Sequence, residues 1–184
     1  MGSSSHLKRL AMPRSWPLPR KTTIWVTRPS PGAHSLDRCM PLNLIVRDVL
    51  GRAQTSREVR FIVHNELVKV DGRICKDTRR GVGLMDVLSL GDEHFRCMLD
   101  INGRLRYAQI PSDEAAWKIA RIEGKSTIKG GKTQLNLHDG RNLIVEDSNQ
   151  YNTGDSLKIA LPEQTIIEHI KFTEGVRCYL VGGT

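Results

Sequence analysis

The side chains best suited to chemistry in this sequence are cations, and the chemistry they offer is the binding of phosphate. An arginine guanidinium is a planar fork that donates two hydrogen bonds to one phosphate, and a lysine adds a compact positive charge. Several cations on one face at phosphate spacing predict a surface for RNA, while the alternative for any one of them is a solvated charge on an amphipathic helix. The candidates within residues 42–91 are Arg47, Arg52, Arg57, Arg60, Lys69 and Arg73.

Patterns for other kinds of chemistry are incomplete. Gly130-Gly131-Lys132-Thr133 is similar to the end of a nucleotide-binding P-loop, but the motif needs glycine where this chain has Ser126, so a hairpin turn is favoured. The six histidines form no i, i+4 pair and the four cysteines form no C-x-x-C, so we expect no metal site and no cofactor. A catalytic carboxylate could lie at Asp100, Asp139 or Asp147, although two of these occupy predicted hairpin turns.

The excess positive charge is concentrated in the first half of the chain. Of 184 residues, 28 are Lys or Arg and 20 are Asp or Glu, and residues 1–41 contain seven of the basic residues but only one acidic residue, Asp37. Six of the eight prolines also lie there, and proline disfavours helix. We therefore predict an extended basic arm over residues 1–41 that adds little to the stability of the body. Trp16 and Trp25 could stack on bases or on protein, and packing against the body is favoured.

Two helices and a hairpin would position the cations of residues 42–91. Apolar residues at helical spacing predict a first helix over Leu42–Leu50, followed by a closing glycine. Thr55-Ser56-Arg57-Glu58 is a capping box that begins a second helix, with Arg57 and Arg60 on its exposed face. Asp71-Gly72 then predicts the tight turn of a hairpin.

The remaining sequence predicts mostly β structure. Asn102-Gly103 and Asp139-Gly140 are hairpin turns, and Ser112 caps a short predicted helix near Asp113–Ile119. One more strand is predicted at Val176–Val181. The other predicted strands, after a bend at Gly81 and Gly83, are Leu84–Leu90, Phe95–Ile101, Leu105–Ile110, Gln134–His138, Leu143–Val145, Leu157–Leu161 and Ile166–Phe172.

Motifs along the chain resemble one family. Two helices followed by Val68-Lys69-Val70-Asp71-Gly72 are similar to the αL RNA-binding module of ribosomal protein four. Further motifs resemble, in the same order, the e-type (archaeal and eukaryotic) small-subunit ribosomal protein four, with Ala33 replacing the usual proline. These motifs are His6-Leu7-Lys8-Arg9, Pro13, Trp16, Pro29, Gly32, His34, Pro41-Leu42, Val70–Arg73, Gly83–Val87 and Gly131–Asn142.

The resemblance implies an α+β fold with four parts. It implies an extended basic arm over residues 1–41 and an αL module of two helices plus a hairpin over 42–91. A mostly antiparallel central β domain would cover 92–172, and residues 173–184 would form the first strand of an incomplete KOW (SH3-like) barrel. By position, the RNA contacts implied in the arm are His6, Lys8, Arg9 and Arg14, and His34 either contacts RNA or has a structural role.

The resemblance also implies a function. The expected protein is a structural constituent of the small ribosomal subunit and not an enzyme, with rRNA and neighbouring ribosomal proteins as partners in the cytoplasm. No small-molecule substrate is expected, and no membrane, because no stretch approaches the roughly 18 apolar residues of a span. The alternative is the RNA-binding specificity subunit or domain of an RNA-modifying enzyme, which would require a pocket with a catalytic residue.

Overall fold

The computed structural model describes residues 5–146 and 148–182 and confirms the predicted α+β class with antiparallel sheets. The helices are α1 (Leu42–Leu44), which continues as a π-helical turn over Ile45–Val49, α2 (Ser56–His64) and α3 (Ser112–Ala115), with 3-10 turns at Arg9–Ala11, Leu36–Arg38 and Ser148–Gln150. The strands are β1 (Leu7–Lys8), β2 (Trp25–Val26), β3 (Cys39–Pro41), β4 (Val68–Val70), β5 (Arg73–Ile74), β6 (Gly81–Gly83), β7 (Val87–Leu90), β8 (Glu93–Leu99), β9 (Leu105–Ile110), β10 (Trp117–Thr127), β11 (Thr133–Leu137), β12 (Asn142–Val145), β13 (Ser156–Ala160) and β14 (Ile166–Ile170). None of the described helices has the length and apolar character needed to cross a membrane.

The predicted second helix and hairpin form as local chemistry dictates. Thr55 Oγ1 accepts the Glu58 backbone N–H at 3.3 Å, and the Glu58 carboxylate accepts the Gln54 backbone N–H at 2.8 Å, which satisfies two donors at the start of α2. In the β4–β5 turn, Asp71 and Gly72 have φ of 51° and 76°, the left-handed pair that a two-residue hairpin requires.

The first hydrophobic core joins the arm, the helices and a five-stranded sheet. The sheet has the order β5-β4-β7-β8-β9, so β8 and β9 continue the sheet of the helix–hairpin module. The predicted boundary at residue 92 therefore falls inside this sheet, between the paired strands β7 and β8. The core includes Met12, Trp16, Val26, Met40, Leu42, Leu44, Ile45, Val46, Val59, Val63, Val68, Val70, Leu88, Phe95, Cys97, Leu105 and Tyr107.

The arm is part of this first core, which corrects the prediction that it adds little to stability. The Met12 and Trp16 side chains are each only 2% exposed. The Trp16 indole N–H also donates a 2.7 Å hydrogen bond to the Cys39 carbonyl in β3. Proline-rich sequence gives the arm few backbone hydrogen bonds of its own, so apolar side chains buried against the body order it.

A second five-stranded sheet, β12-β11-β10-β13-β14, encloses the second core. Its central strand β10 was not predicted, and the helix predicted over Asp113–Ile119 ends at Ala115. Lys118, Ala120 and Ile122, at every second position, are buried. A hydrophobicity pattern did not show this alternation, because its first member is charged. The core contains Ala120, Ile122, Leu135, Leu137, Leu143, Leu157 and Ile159.

Two predicted segments differ from the structure. Gly81–Gly83 is strand β6, paired with β3, and the chain instead turns at Met85, whose φ is 66°. The strand predicted at Val176–Val181 does not form in the described residues; this segment is irregular and anchored by Tyr179. The Tyr179 hydroxyl donates to the Leu99 carbonyl at 2.7 Å and accepts the Leu99 backbone N–H at 2.6 Å.

Candidate nucleic-acid interface

Helix α2 presents cations on one side because its apolar residues face the core. Val59 and Val63, four residues apart, are fully buried, and the arginines between and before them, Arg57 and Arg60, point to solvent. Within the part of the chain that the structure describes, neither guanidinium has an ion pair or a hydrogen bond. Phe61 is exposed on the same helix. This exposed surface combines charge available for phosphate with an aromatic ring.

The arm presents a second cationic surface. Lys8 and Arg14 are exposed, and His6 is exposed with its ring centroid 5.5 Å from that of Trp25. No Asp or Glu occurs from residue 5 to residue 36. An anion approaching this segment meets no carboxylate within it, so the local field favours a polyanion.

Lys69 and Arg73 lie on the hairpin that follows α2 in the sequence, and both are exposed. Lys69 stands between two buried valines of β4, so strand alternation alone turns it outward. Arg73 belongs to the edge strand β5. The structure thus leaves six of the predicted cations open to solvent without a partner ion, within the described residues: Lys8, Arg14, Arg57, Arg60, Lys69 and Arg73.

Three other predicted contacts have internal partners. Arg9 is 7% exposed, and its Nε–H donates to the Pro19 carbonyl at 2.6 Å, so the prediction that it reaches RNA is corrected to a structural role within the arm. Arg47 is half-buried and binds Asp48 with two hydrogen bonds, at 2.8 and 3.1 Å. Arg52 remains exposed but forms an ion pair with Glu93 at 2.5 Å.

A buried ion cluster, not predicted from the sequence, lies where the two sheets meet. The ammonium of Lys118 is fully buried and lies 2.8 Å from the Asp71 carboxylate and 3.0 Å from that of Asp86. It also pairs with Asp139. The oxygens of these three carboxylates lie within 4.8 Å of one another, and Lys118 supplies a positive charge that all three share.

Two further side chains complete this cluster. Arg141 pairs with Asp71 and, through its Nε–H at 3.2 Å, with Asp139. His34 Nε2 lies 2.9 Å from Asp86 Oδ2, so the arm is joined to the cluster and His34 has the structural role among its two predicted alternatives. Residues from the arm, the hairpin module and the second sheet are therefore held by one set of ion pairs.

The electrostatics of the cluster depend on Lys118. Burial opposes ionisation of Asp86, but the Lys118 ammonium and His34 hold the pKa of Asp86 well below its usual range. Burial likewise opposes a charge on Asp139, yet Lys118 lowers its pKa too. Burial and the neighbouring charge of Asp86 raise the pKa of Asp71. Burial also opposes the ammonium itself, but the carboxylates raise the pKa of Lys118, which stays charged at neutral pH.

Two local sequence signals point to the cluster. The first signal is an aspartate followed by glycine, at Asp71 and at Asp139, which predicts a hairpin turn. In the structure both aspartates lie in such turns and in the cluster. The second signal is Lys118, a cation in phase with the buried Ala120 and Ile122 of the same strand. A charge at an inward position of a strand requires a buried partner.

The enzyme alternative requires a pocket with a catalytic residue, and the candidate pocket is a groove of about 490 Å³ between the arm and the second sheet. Its histidines have internal partners: His34 pairs with Asp86, and His138 accepts the Arg121 backbone N–H at 3.1 Å and lies 3.4 Å from the Leu84 carbonyl. Asp139 has its charge compensated in the cluster, Asp100 accepts the N–H of the following residue in a turn, and Asp147 lies outside the described residues.

Cys178 lines this groove and is exposed, whereas the buried thiols of Cys39 and Cys97 lie outside its lining. Cys39 and Cys97 are buried, and burial raises the pKa of Cys39 to about 11 and that of Cys97 still further, so both stay protonated. Cys75 is half-buried and Cys178 is exposed.

Comparison with known proteins decides the family. The chain is 45% identical to the small ribosomal subunit protein eS4 of Methanosphaera stadtmanae over 185 aligned residues, which cover 100% of this chain and 76% of that protein. The chain belongs to the eS4 family. The eS4 protein of Methanococcus maripaludis is 44% identical over 99% of this chain and 78% of its own length. The predicted resemblance to the e-type family is thereby confirmed.

Family and structural matches agree with this assignment to eS4. Residues 91–166 match the ribosomal family S4e, and residues 1–37 match the RS4NT domain. The crystal structure of the 30S ribosomal protein S4e from Thermoplasma acidophilum is similar, with a TM-score of 0.71 and 33% identity over 80% of this chain and 76% of that one. The eS4 family is a structural, non-enzymatic component of the small ribosomal subunit.

Proposed function

We propose that this eS4 family chain holds rRNA in the small ribosomal subunit through the exposed cations of its arm, of α2 and of the β4–β5 hairpin. Neighbouring ribosomal proteins would be its other partners, in the cytoplasm. The observation that carries the proposal is the outer face of α2, where Arg57 and Arg60 are exposed without a protein partner among the described residues.

Charge and rigidity support this proposal. Each phosphate that a cation neutralises releases counterions from the RNA, so several exposed cations give tight and salt-sensitive binding. The Lys118 cluster fixes the arm and the hairpin against the second sheet, so the cations are already positioned before RNA arrives. A preorganised surface loses less conformational entropy on binding.

The test is the salt dependence of binding to small-subunit rRNA fragments, compared with an unrelated structured RNA of the same length. We expect preferential binding of one rRNA fragment and a steep slope of log affinity against log salt. Arg57→Glu and Arg60→Glu should each weaken binding and reduce the slope by about one for each phosphate that the variant no longer neutralises.

A matched control separates local contact from net charge. Arg121→Glu changes the charge of the protein by the same amount at an exposed arginine of the second sheet, which pairs with Glu123. We expect this variant to keep the wild-type slope. If Arg57→Glu and Arg121→Glu reduced affinity equally, or if Arg57→Glu had no effect, α2 would not be a surface that contacts RNA.

A further inference from the structure

The small ribbon formed by β1 and β2 displays an aromatic ring that the cores do not use. Leu7 pairs with Val26, and Lys8 pairs with Trp25, in antiparallel register. Because neighbouring residues of a strand face opposite ways, Val26 enters the first core while Trp25 and Lys8 share the outer face. Trp25 is 54% exposed. We call His6, Lys8 and Trp25 on this face the Trp25 platform.

Hydrogen bonds made by Arg9 and Thr23 fix the backbone of the platform. The Arg9 backbone N–H donates to the Ile24 carbonyl at 2.9 Å, and the buried Arg9 guanidinium donates to Thr23 Oγ1 at 3.2 Å. The Thr23 hydroxyl in turn donates to the Trp25 carbonyl at 3.1 Å. The buried arginine thus holds the strand that carries the indole, so the backbone at Trp25 is ordered before any ligand binds and loses little entropy on binding.

The chemistry around the platform selects its occupant. The exposed indole of Trp25 is an apolar surface that gains stability when it is covered. Lys8 lies directly opposite Trp25 on the adjacent strand, and no carboxylate side chain occurs between residues 5 and 36. An exposed ring with a lysine opposite it on the adjacent strand is suited to a nucleobase with its phosphate, because the base stacks while the phosphate pairs with the cation.

We propose that the Trp25 platform binds an unpaired nucleotide, with its base stacked on the indole and its phosphate on Lys8. This inference rests on the proposed RNA-binding function and narrows it to one kind of RNA element. The faces of bases within a duplex are already stacked on one another, so only a base in a loop, a bulge or an end can occupy the ring.

The test uses two fluorescein-labelled probes with the same number of phosphates: a 12-nucleotide oligouridylate and a 12-unit ribose-phosphate chain without bases. Affinity is measured by anisotropy over a range of salt concentrations. Trp25→Ala should weaken oligouridylate binding by about 5- to 150-fold, as loss of one base–aromatic stack does, with the salt slope unchanged. The same variant should bind the abasic probe as the wild type does.

Two more variants separate stacking from charge. Trp25→Phe keeps an aromatic face and should restore most of the oligouridylate affinity. Lys8→Ala should lower the salt slope by about 0.7, the value for one single-strand phosphate contact, for both probes. Thermal unfolding of each variant should match the wild type, because both side chains lie on the exposed face of the ribbon.

The outcomes distinguish this inference from the proposed function. If the wild type binds rRNA fragments with a steep salt slope but Trp25→Ala binds oligouridylate as tightly as the wild type, the stacking site is refuted and the platform is assigned to a protein neighbour. Equal wild-type affinity for the two probes would also overturn it. If the wild type fails to prefer any rRNA fragment, the proposed function itself fails.

Discussion

Replacing Lys118 with methionine tests whether the buried ion cluster holds the two sheets together. Methionine is similar in length to lysine and leaves little cavity, so the change removes mainly the charge. Lys118 is fully buried and contacts Asp71, Asp86 and Asp139, which would keep only peripheral cations. Removing one partner of a buried ion pair costs about 3–5 kcal/mol, because the opposite charges stay buried without compensation. We expect a loss of this size in the free energy of unfolding at pH 7.

The pH dependence gives a second signature. In the wild type the folded-state pKa values of Asp86 and Asp139 are depressed, so their stabilising contribution is present above the unfolded pKa of about 3.9 and is lost as the pH falls through the folded values. Asp71, whose pKa is raised, acts in the opposite sense. Without Lys118, burial raises all three pKa values, so Lys118→Met should become more stable as the pH falls from about 7 to about 4.5.

Urea unfolding at pH 7 and pH 4.5 measures both effects. Lys125→Met is the control, since Lys125 is an exposed lysine of the same strand and a surface charge contributes at most about 1 kcal/mol. A loss below about 1 kcal/mol for Lys118→Met at pH 7, or a pH profile parallel to that of the wild type, would refute the assigned role of the cluster.

Two further substitutions test the joints between the arm and the body. Trp16→Ala removes a buried indole and its hydrogen bond, so it should lower the free energy of unfolding in urea by about 3–5 kcal/mol. Trp25→Ala is the control and should cost little, because the Trp25 side chain is exposed. Similar losses for both variants would place the arm outside the core. Gly83→Ala would put a Cβ 2.3 Å from Cγ of the His34 ring and displace the ring from Asp86, which should lower the free energy of unfolding by about 1–3 kcal/mol. Gly32→Ala is the control, because the new Cβ would have no neighbouring atom nearer than 3.9 Å. Equal thermal midpoints for these two variants would contradict this prediction.

Features set by neighbouring residues could be predicted from the sequence. The cap at Thr55 and the turn at Asp71-Gly72 involve atoms within four residues of one another, so residue type alone determines them. The exposed cations of α2 follow from helical period, because Val59 and Val63 fix which face is buried.

Features set by distant residues could not be predicted in this way. Arg9 and Arg14 have the same side-chain chemistry, yet only Arg9 meets Pro19 and Thr23 and is withdrawn from the surface. No residue near Asp86 in the sequence indicates that its carboxylate pairs with a lysine 32 residues later in the chain. The family resemblance indicated the overall order of parts, but the placement of β8 and β9 in the first sheet depends on strand pairing that composition does not encode.

The ion cluster also constrains the order in which the chain can fold during its synthesis. Asp71 and Asp86 leave the synthesising ribosome before Lys118, and at about 5–20 residues per second the lysine follows Asp86 by roughly 2–6 s. Leu105 and Tyr107 of the first core are made only near the end of that interval, when the carboxylates still lack their cation. Because Asp139 and Arg141 follow later still, we expect the cluster that joins the two sheets to close only after the turn between β11 and β12 has been made.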